Sequence, residues 1–296
     1  MTQDFTIAFT GGPFDHAETG RSPQQVQKLV EDKRAQTVLL HKGAPAIDAK
    51  GQLIRIHPSA LIGMDIYDPG PIYLGQDGDV PLFAANMARP EQSGGGAFTD
   101  LREAARLMSG ADLAIAGRAR SLLDWHFNHG FCAKCGKKTD ARDGGLKRLC
   151  TFCNTEHFPR VNPVAIMLVV HGDEVLLGRS AGWPEGFFSA LAGFASPGES
   201  LEETCRREVW EEAGIITTDH RYIMSQPWPF PSQLMLGMIC TAQSKTLNIN
   251  TDEIEDARWF SKDAVRGVYA KTDDSFKRPP RFALADQLLR WWIAQD

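Results

Sequence analysis

The stretch GFASPGESLEETCRREVWEEAGI, Gly193 to Ile215, decides how the second half of this chain is read. Ser200 followed three residues later by Glu203 has the pattern of a capping box, in which each side chain accepts a hydrogen bond from the other residue's backbone N–H. Gly214 supplies a stop, because a glycine tolerates the left-handed conformation that closes many helices. Together they predict a helix over 201–213. Leu201, Cys205 and Val209 recur at intervals of four and give it a buried stripe. Glu208, Glu211 and Glu212 then fall at i, i+3 and i+4, on one face within a turn. Like charges so close repel. On an arbitrary helix they form a solvated acidic face, whereas a hard divalent cation, which takes several carboxylate oxygens and bridges phosphates, resolves the repulsion directly. The preceding loop offers glycines for close backbone approach, and Arg207 is placed to pair with Glu199 and fix loop against helix.

Outward from this segment, 296 residues of which 43% are hydrophobic hold material for two cores. The formal charge of -5, from 32 basic and 37 acidic residues without long blocks, lacks the footprint of a protein that lives on nucleic acid. The beginning of the chain has no signal-peptide pattern, and no stretch approaches the roughly 18 apolar residues of a membrane span, so a soluble cytoplasmic protein is expected. Up to about residue 125, short apolar runs (TVLLH, LIRIH, IYLG, VPLFAAN) alternate with turns and end in a helical stretch from Asp100 through Trp125. That is an α+β domain without a legible chemical motif, and its Ser93-Gly94-Gly95-Gly96 segment reads as a flexible loop. After Pro159 the run VAIMLVV, a His171-Gly172-Asp173 turn and EVLLGR read as a hairpin. The expected boundaries are 1–125, 126–158 and 159–296.

The middle piece carries Cys132-x2-Cys135 and, fourteen residues on, Cys150-x2-Cys153. Two such knuckles bring four thiolates around one tetrahedral Zn²⁺; with four cysteine ligands the shell is closed, so this metal holds structure and does not activate water. The neighbouring basic residues Lys134, Lys137, Lys138, Arg142, Lys147 and Arg148 offer a phosphate-binding face or, more plainly, a solvated surface. Cys205 and Cys240, alone among apolar neighbours, read as small core residues.

The segment at 193–215 resembles the Nudix box, G-x5-E-x7-R-E-U-x-E-E-x-G-U, at every defined position. The resemblance implies an enzyme that hydrolyses a nucleoside diphosphate linked to another moiety, with a C-terminal Nudix α/β/α sandwich. Glu208 and Glu212 carry over as ligands of Mg²⁺ or Mn²⁺, and Glu211 as a further ligand or proton acceptor. Beyond the box, Ser225-Gln226-Pro227-Trp228-Pro229-Phe230-Pro231-Ser232-Gln233 sets two aromatic rings among three prolines. Such stiffening suits either a rigid loop packed on the core or aromatic faces pre-organised for a flat base. The segment is similar to the SQPWPFPxS signature of NADH pyrophosphatases, except that Gln233 stands where they usually have serine. The likeness extends to the lead-in and exit of the zinc ribbon, and implies further site residues. Phe158 stands where relatives often contact substrate through tyrosine. Glu253 matches a metal-binding glutamate outside the box, and Ala192 a backbone-carbonyl ligand. Phe194 and Ala285 fall where the substrate pocket is lined.

These resemblances imply cleavage of NAD(H) into AMP and NMN(H), with removal of NAD caps from RNA 5′ ends as the same chemistry, by a homodimer. Metal would acidify the attacking water; the general base is Glu211, Glu253 or a metal-held hydroxide. The alternatives are another Nudix substrate, such as ADP-ribose or a diadenosine polyphosphate, and a non-catalytic NAD sensor or zinc-ribbon regulator.

Overall fold

The computed structural model describes residues 7–16, 21–108 and 110–295. Contacts divide the chain into two compact units, one of residues 8–161 with Trp228–Ser232, the other built of 162–227 and 233–295.

In the first unit the strands are β1 (Phe14–Asp15), β2 (Gln36–His41), β3 (Ala44–Ile47), β4 (Arg55–Ile56), β5 (Ile72–Asp77), β6 (Val80–Asn86) and β7 (Ala97–Phe98). They form one sheet in the order β1-β5-β6-β2-β3-β7, with β4 on β2. Its helices are α1 (Pro23–Glu31), α2 (Leu101–Leu107) and α3 (Gly110–Asn128). The expected single helical stretch is therefore two helices: α2 ends at Met108, whose backbone is extended (φ -83°, ψ 154°). Ser109 lies outside the described residues. α3 packs on β2, β3, β5 and β6. The glycine-rich turn is bound closely to the sheet. A Cβ on Gly96 would lie 2.4 Å from the Ile47 carbonyl oxygen, and one on Gly94 3.0 Å from Ile54. Glycine serves close approach here.

The strands of the four-cysteine segment, β8 (Thr139–Arg142), β9 (Lys147–Cys150) and β10 (Glu156–His157), belong to the same unit and pair antiparallel in the order β10-β9-β8.

The second unit contains β11 (Asn162–His171), β12 (Glu174–Arg179), β13 (Leu191–Phe194), α4 (Leu201–Ala213), β14 (Thr217–Trp228, whose last residue groups with the first unit), β15 (Gln233–Ala242), β16 (Asp256–Ser261), α5 (Lys262–Ala270) and α6 (Leu284–Ile293). The hairpin of β11 and β12 is present, with Val169 opposite Leu176. β11 also runs parallel to β15, so it is central and buried on both faces, which its unbroken apolar run requires. Ala165, Met167 and Val169 face Cys205, Val209 and Ala213 of α4. The alternate residues Ile166 and Leu168 face Val265 of α5 and Leu288 and Trp292 of α6. This is an α/β/α sandwich. Cys205 and Cys240 are core residues. No helix among the described residues is long and apolar enough to cross a membrane.

Candidate active site

α4 is built as its sequence demands. Ser200 Oγ accepts from the Glu203 N–H at 3.3 Å, Glu203 Oε2 accepts from the Ser200 N–H at 2.7 Å, and Gly214 closes the helix at φ 68°. Burial of Cys205, Val209 and Ala213 against the sheet fixes the rotation of the helix, and with it the direction of the glutamates.

Arg207 is the hub of the loop ahead. Its Nε donates to Glu199 Oε1 at 2.6 Å and its Nη2 to Glu199 Oε2 at 2.9 Å, a bidentate pair. The same guanidinium reaches Glu208 Oε1 at 2.8 Å, Glu211 Oε2 at 2.9 Å and the Phe194 carbonyl at 2.9 Å. Donors from Arg207, the Ser196 N–H and the Thr204 hydroxyl bring the Glu199 carboxyl down to about 2.

The metal-type carboxylates lie deeper. Burial raises the Glu208 carboxyl above its ordinary value, against the pull of Arg207. Glu212 is only 9% exposed, and its Oε2 is buried without a hydrogen-bond partner. Burial, then the charges of Glu208, Glu253 and Glu211, push it up to about 8. A carboxylate left this way is destabilising unless a cation supplies the missing interaction, so the donor set fits a divalent ion. Glu253 joins through backbone bonds: the Asn248 N–H donates to the Ala213 carbonyl at 2.9 Å and the Asn250 N–H to the Glu212 carbonyl at 3.0 Å. Glu253 N–H in turn donates to the Asn250 carbonyl at 3.1 Å. Ala192 is exposed on β13 opposite Ile166, next to Gly193, whose Cα is covered by the Glu208 carboxylate.

Among the described residues, Cys132, Cys135, Cys150 and Cys153 form the group of cysteines, histidines and carboxylates with metal-binding geometry, their sulfurs within 4.8 Å of one another. Both knuckles close alike, the Gly136 N–H donating to the Cys132 carbonyl and the Asn154 N–H to the Cys150 carbonyl. Thr155 donors draw the Cys153 thiol below its ordinary value, while burial and the neighbouring sulfurs push Cys135 up, the mutual opposition of sulfurs crowded around one point. The four cysteines fit zinc.

Family comparisons agree with this arrangement. The NUDIX domain matches residues 160–282, the NADH pyrophosphatase-like rudimentary NUDIX domain residues 27–125, and the NADH pyrophosphatase zinc ribbon domain residues 128–158. The human protein named NAD(P)H pyrophosphatase NUDT13, mitochondrial, is 37% identical over 258 residues, covering 82% of this chain and 73% of that protein. The chain belongs to the NADH pyrophosphatase type of the Nudix family. The Chromobacterium violaceum protein named NAD-capped RNA hydrolase NudC is 38% identical over 199 residues, 67% of this chain and 75% of that one. Human NAD-capped RNA hydrolase NUDT12 is 43% identical over 193 residues, 62% of this chain, which spans 42% of that relative's length.

The charges of Glu208 and Glu211 on α4 and of Glu253 on the loop bonded to its end thus act on Glu212, and the neighbouring strand β13 carries the exposed Ala192 and Phe194. The proline-rich segment behaves differently. Gln226 is fully buried and its Nε2 donates to the Phe282 carbonyl at 2.8 Å. Pro227 is exposed, and Gln233 opens β15 opposite Asn162. Residues Trp228 to Ser232 pack in the N-terminal unit. There Trp228 meets Phe9 edge-on at 6.3 Å and Phe230 at 4.9 Å, and the Phe230 ring carries the guanidiniums of Arg102 at 4.0 Å and Arg120 at 4.8 Å. Pro229 contacts the α3 backbone at Gly117, Pro231 accepts from Ser121, and Ser232 donates to the Arg160 carbonyl. Phe158 is exposed in that unit. Ala285 is buried in the core on the α5/α6 side of the sheet, the face opposite α4.

Arg148 corrects the reading of the ribbon's basic residues as surface. It is 1% exposed, because the strand alternation of β9 turns it to the same side as Cys150. Its partner His126 belongs to the Trp125-His126 lead-in to the ribbon that carries part of the family resemblance, which gives it no role of its own. An arginine at period two from a metal cysteine was the available signal.

Proposed function

We propose that this protein is a metal-dependent NAD(H) diphosphatase acting with Mg²⁺ or Mn²⁺, yielding AMP and NMN(H). The observation that carries the reading is the buried, unpartnered Glu212 carboxylate among Glu208, Glu211 and Glu253. Glu208, Glu212, Glu253 and the Ala192 carbonyl would hold the metal, which when bound neutralises the diphosphate and acidifies the attacking water. Arg207 holds Glu208 and the Phe194 backbone in place. It also pairs with Glu211 at 2.9 Å, which orients that carboxylate beside the proposed metal ligands. In this reading substrate recognition falls to Trp228, which is half-buried, and to the exposed Phe158 and Phe194, while Gln226, Phe230 and Ala285, expected in the same set, are packing residues, and the zinc is structural.

The names of the bacterial and human relatives support extension to the NAD cap of RNA, the same diphosphate bond. A soluble cytoplasmic homodimer completes the proposal. The deciding experiment is incubation of the purified, zinc-loaded protein with NADH and Mg²⁺, followed by nucleotide separation. AMP and NMNH in equal amounts are expected; intact NADH beside hydrolysed ADP-ribose would reassign the substrate, and no hydrolysis of any diphosphate would reject the enzyme.

A further inference from the structure

The zinc ribbon and the Trp228–Ser232 segment are joined within one unit by side-chain contacts at the two ends of a stretch of α3. The route starts two residues from a zinc cysteine. Arg148 lies on β9 with Cys150, and β9 pairs with β8 so that Cys150 is opposite Thr139. The buried guanidinium donates from Nε to Thr139 Oγ1 and from Nη2 to the Thr139 carbonyl, both at 2.7 Å, which locks it to the ribbon. Its Nη1 donates to His126 Nδ1 at 3.1 Å, and its Nη2 to Asp68 Oδ2 at 3.1 Å. His126 Nε2 donates to the Gly145 carbonyl at 2.8 Å, so the imidazole is held at both nitrogens.

His126 is the point of entry into α3. A helix is stiff along its axis, and Ser121 is about 7.5 Å from His126 at 1.5 Å per residue. Three consecutive contacts on that stretch of α3 hold the segment: Gly117 against Pro229, the Arg120 guanidinium over Phe230, and Ser121 Oγ donating to the Pro231 carbonyl at 3.2 Å. A Cβ on Gly117 would come within 3.3 Å of Pro229 Cγ. A second link runs through the ribbon's exit, where Ser232 Oγ donates to the Arg160 carbonyl at 2.9 Å. The segment is thus gripped by α3 on one side and by the backbone leaving the ribbon on the other.

We propose that Arg148 is a positioning residue for dinucleotide recognition: it sets α3 against the zinc ribbon, and α3 in turn sets Trp228–Ser232. The inference rests on the reading that this segment binds the dinucleotide. Its physical content is that the segment, the short connection from the end of β14 to β15, is gripped by α3 and by the backbone leaving the ribbon, so its geometry depends on the surface it lies on as well as on the strands it joins. Shifting α3 at His126 therefore changes substrate affinity and leaves the Nudix-box carboxylates in their own unit untouched.

The test compares Arg148→Met and Arg148→Lys with Arg142→Met, a ribbon arginine paired at the surface with Asp140. Two readouts are taken on zinc-loaded protein: KM and kcat for NADH, and hydrogen exchange of peptides spanning 226–233 and 201–213. Arg148→Met is expected to raise KM about 2- to 30-fold with kcat little changed, and to speed exchange in 226–233 but not in 201–213. Arg148→Lys, which keeps the charge but not the fork, should restore part of the KM, and Arg142→Met should match wild type. If neither Arg148 variant folds, Asp68→Asn at the solvent end of the network provides the same readouts. A folded, zinc-loaded variant with wild-type KM and wild-type exchange overturns the proposal, as does a fall in kcat with KM unchanged. A wild-type protein inactive on NADH rejects the proposed function instead, while exchange still decides whether Arg148 sets the segment.

Discussion

Gly193 and Glu208 are packed so closely that no side chain fits between them: a Cβ added to Gly193 would lie 1.8 Å from Glu208 Cδ. The backbone of β13 is the wall against which a metal-type carboxylate rests. Glycine at this position is a statement about Glu208.

Gly193→Ala should therefore displace Glu208 without unfolding the sandwich, since its backbone conformation is open to alanine. Activity or metal affinity should fall about 10- to 100-fold, as when a partner that orients a ligand is lost. Mg²⁺ titration of NADH hydrolysis, read beside the melting temperature, checks this. A variant with wild-type Mg²⁺ dependence would remove the contact from the site.

Glu212→Gln should abolish most turnover, because the amide keeps the shape and loses the charge, with Glu202→Gln on the exposed face as control. The metal-free protein supplies a sign test. Glu212 titrates at about 8 in the fold against 4.5 ordinarily, so its contribution to stability is fully present below about 4.5 and is lost as pH rises through about 8. In metal-free samples Glu212→Gln should then be the more stable protein above pH 8, and the gap should close on acidification. Thermal melts from pH 5 to 9 would contradict this by showing a constant gap.

His126 has the opposite dependence. Burial, with the adjacent Arg148 charge, brings it down to about 4 from 6.5, and both ring nitrogens are committed in the neutral form. Its contribution is present above about 6.5 and is lost as pH falls through about 4. Acid should thus loosen the ribbon, and zinc release followed with a chromogenic chelator between pH 7 and 4 should begin at lower pH in wild type than in Arg148→Met.

Cys132→Ser should lose zinc and melt at lower temperature, because folding of so small a module is coupled to its metal. Wild-type zinc content and melting in that variant would deny the structural role.

Trp228→Ala separates recognition from packing. If the half-buried indole contacts a base, kcat/KM for NADH falls by about 1–3 kcal/mol with little change in melting temperature. ADP-ribose, which lacks nicotinamide, tells which base: a loss confined to NADH places the ring at nicotinamide. Phe230, already covered by Arg102 and Arg120, should instead lose stability on conversion to alanine.

The parts legible in the sequence were those set by local rules. The limits of α4, its capping box, the Arg207–Glu199 pair and the β11–β12 hairpin depend on neighbours within a dozen residues, and spacing reveals such neighbours. The break after Leu107 had one local signal, the Ser109-Gly110 dipeptide, which was read through because apolar residues continue on both sides of it from Leu101 to Trp125. The tight seating of Gly94 and Gly96 against Ile54 and Ile47 is likewise a tertiary fact, since composition alone makes glycines look loose. Arg148 was misread because a buried guanidinium is intelligible only with Thr139, His126 and Asp68 around it, and the last is 80 residues away.

The seating of Trp228–Ser232 in the N-terminal unit, while β14 and β15 on either side are strands of the other, bears on modularity. Recombination at residue 161, grafting the C-terminal portion of a different family member onto this N-terminal portion, would set a foreign proline-rich segment on the Gly117–Ser121 face of α3. Chimeras in which α3 travels with that segment should express and fold, and those that separate them should not. The inheritable module is discontinuous in sequence, and ancestry in this branch should be traced with α3 and the segment as a single character.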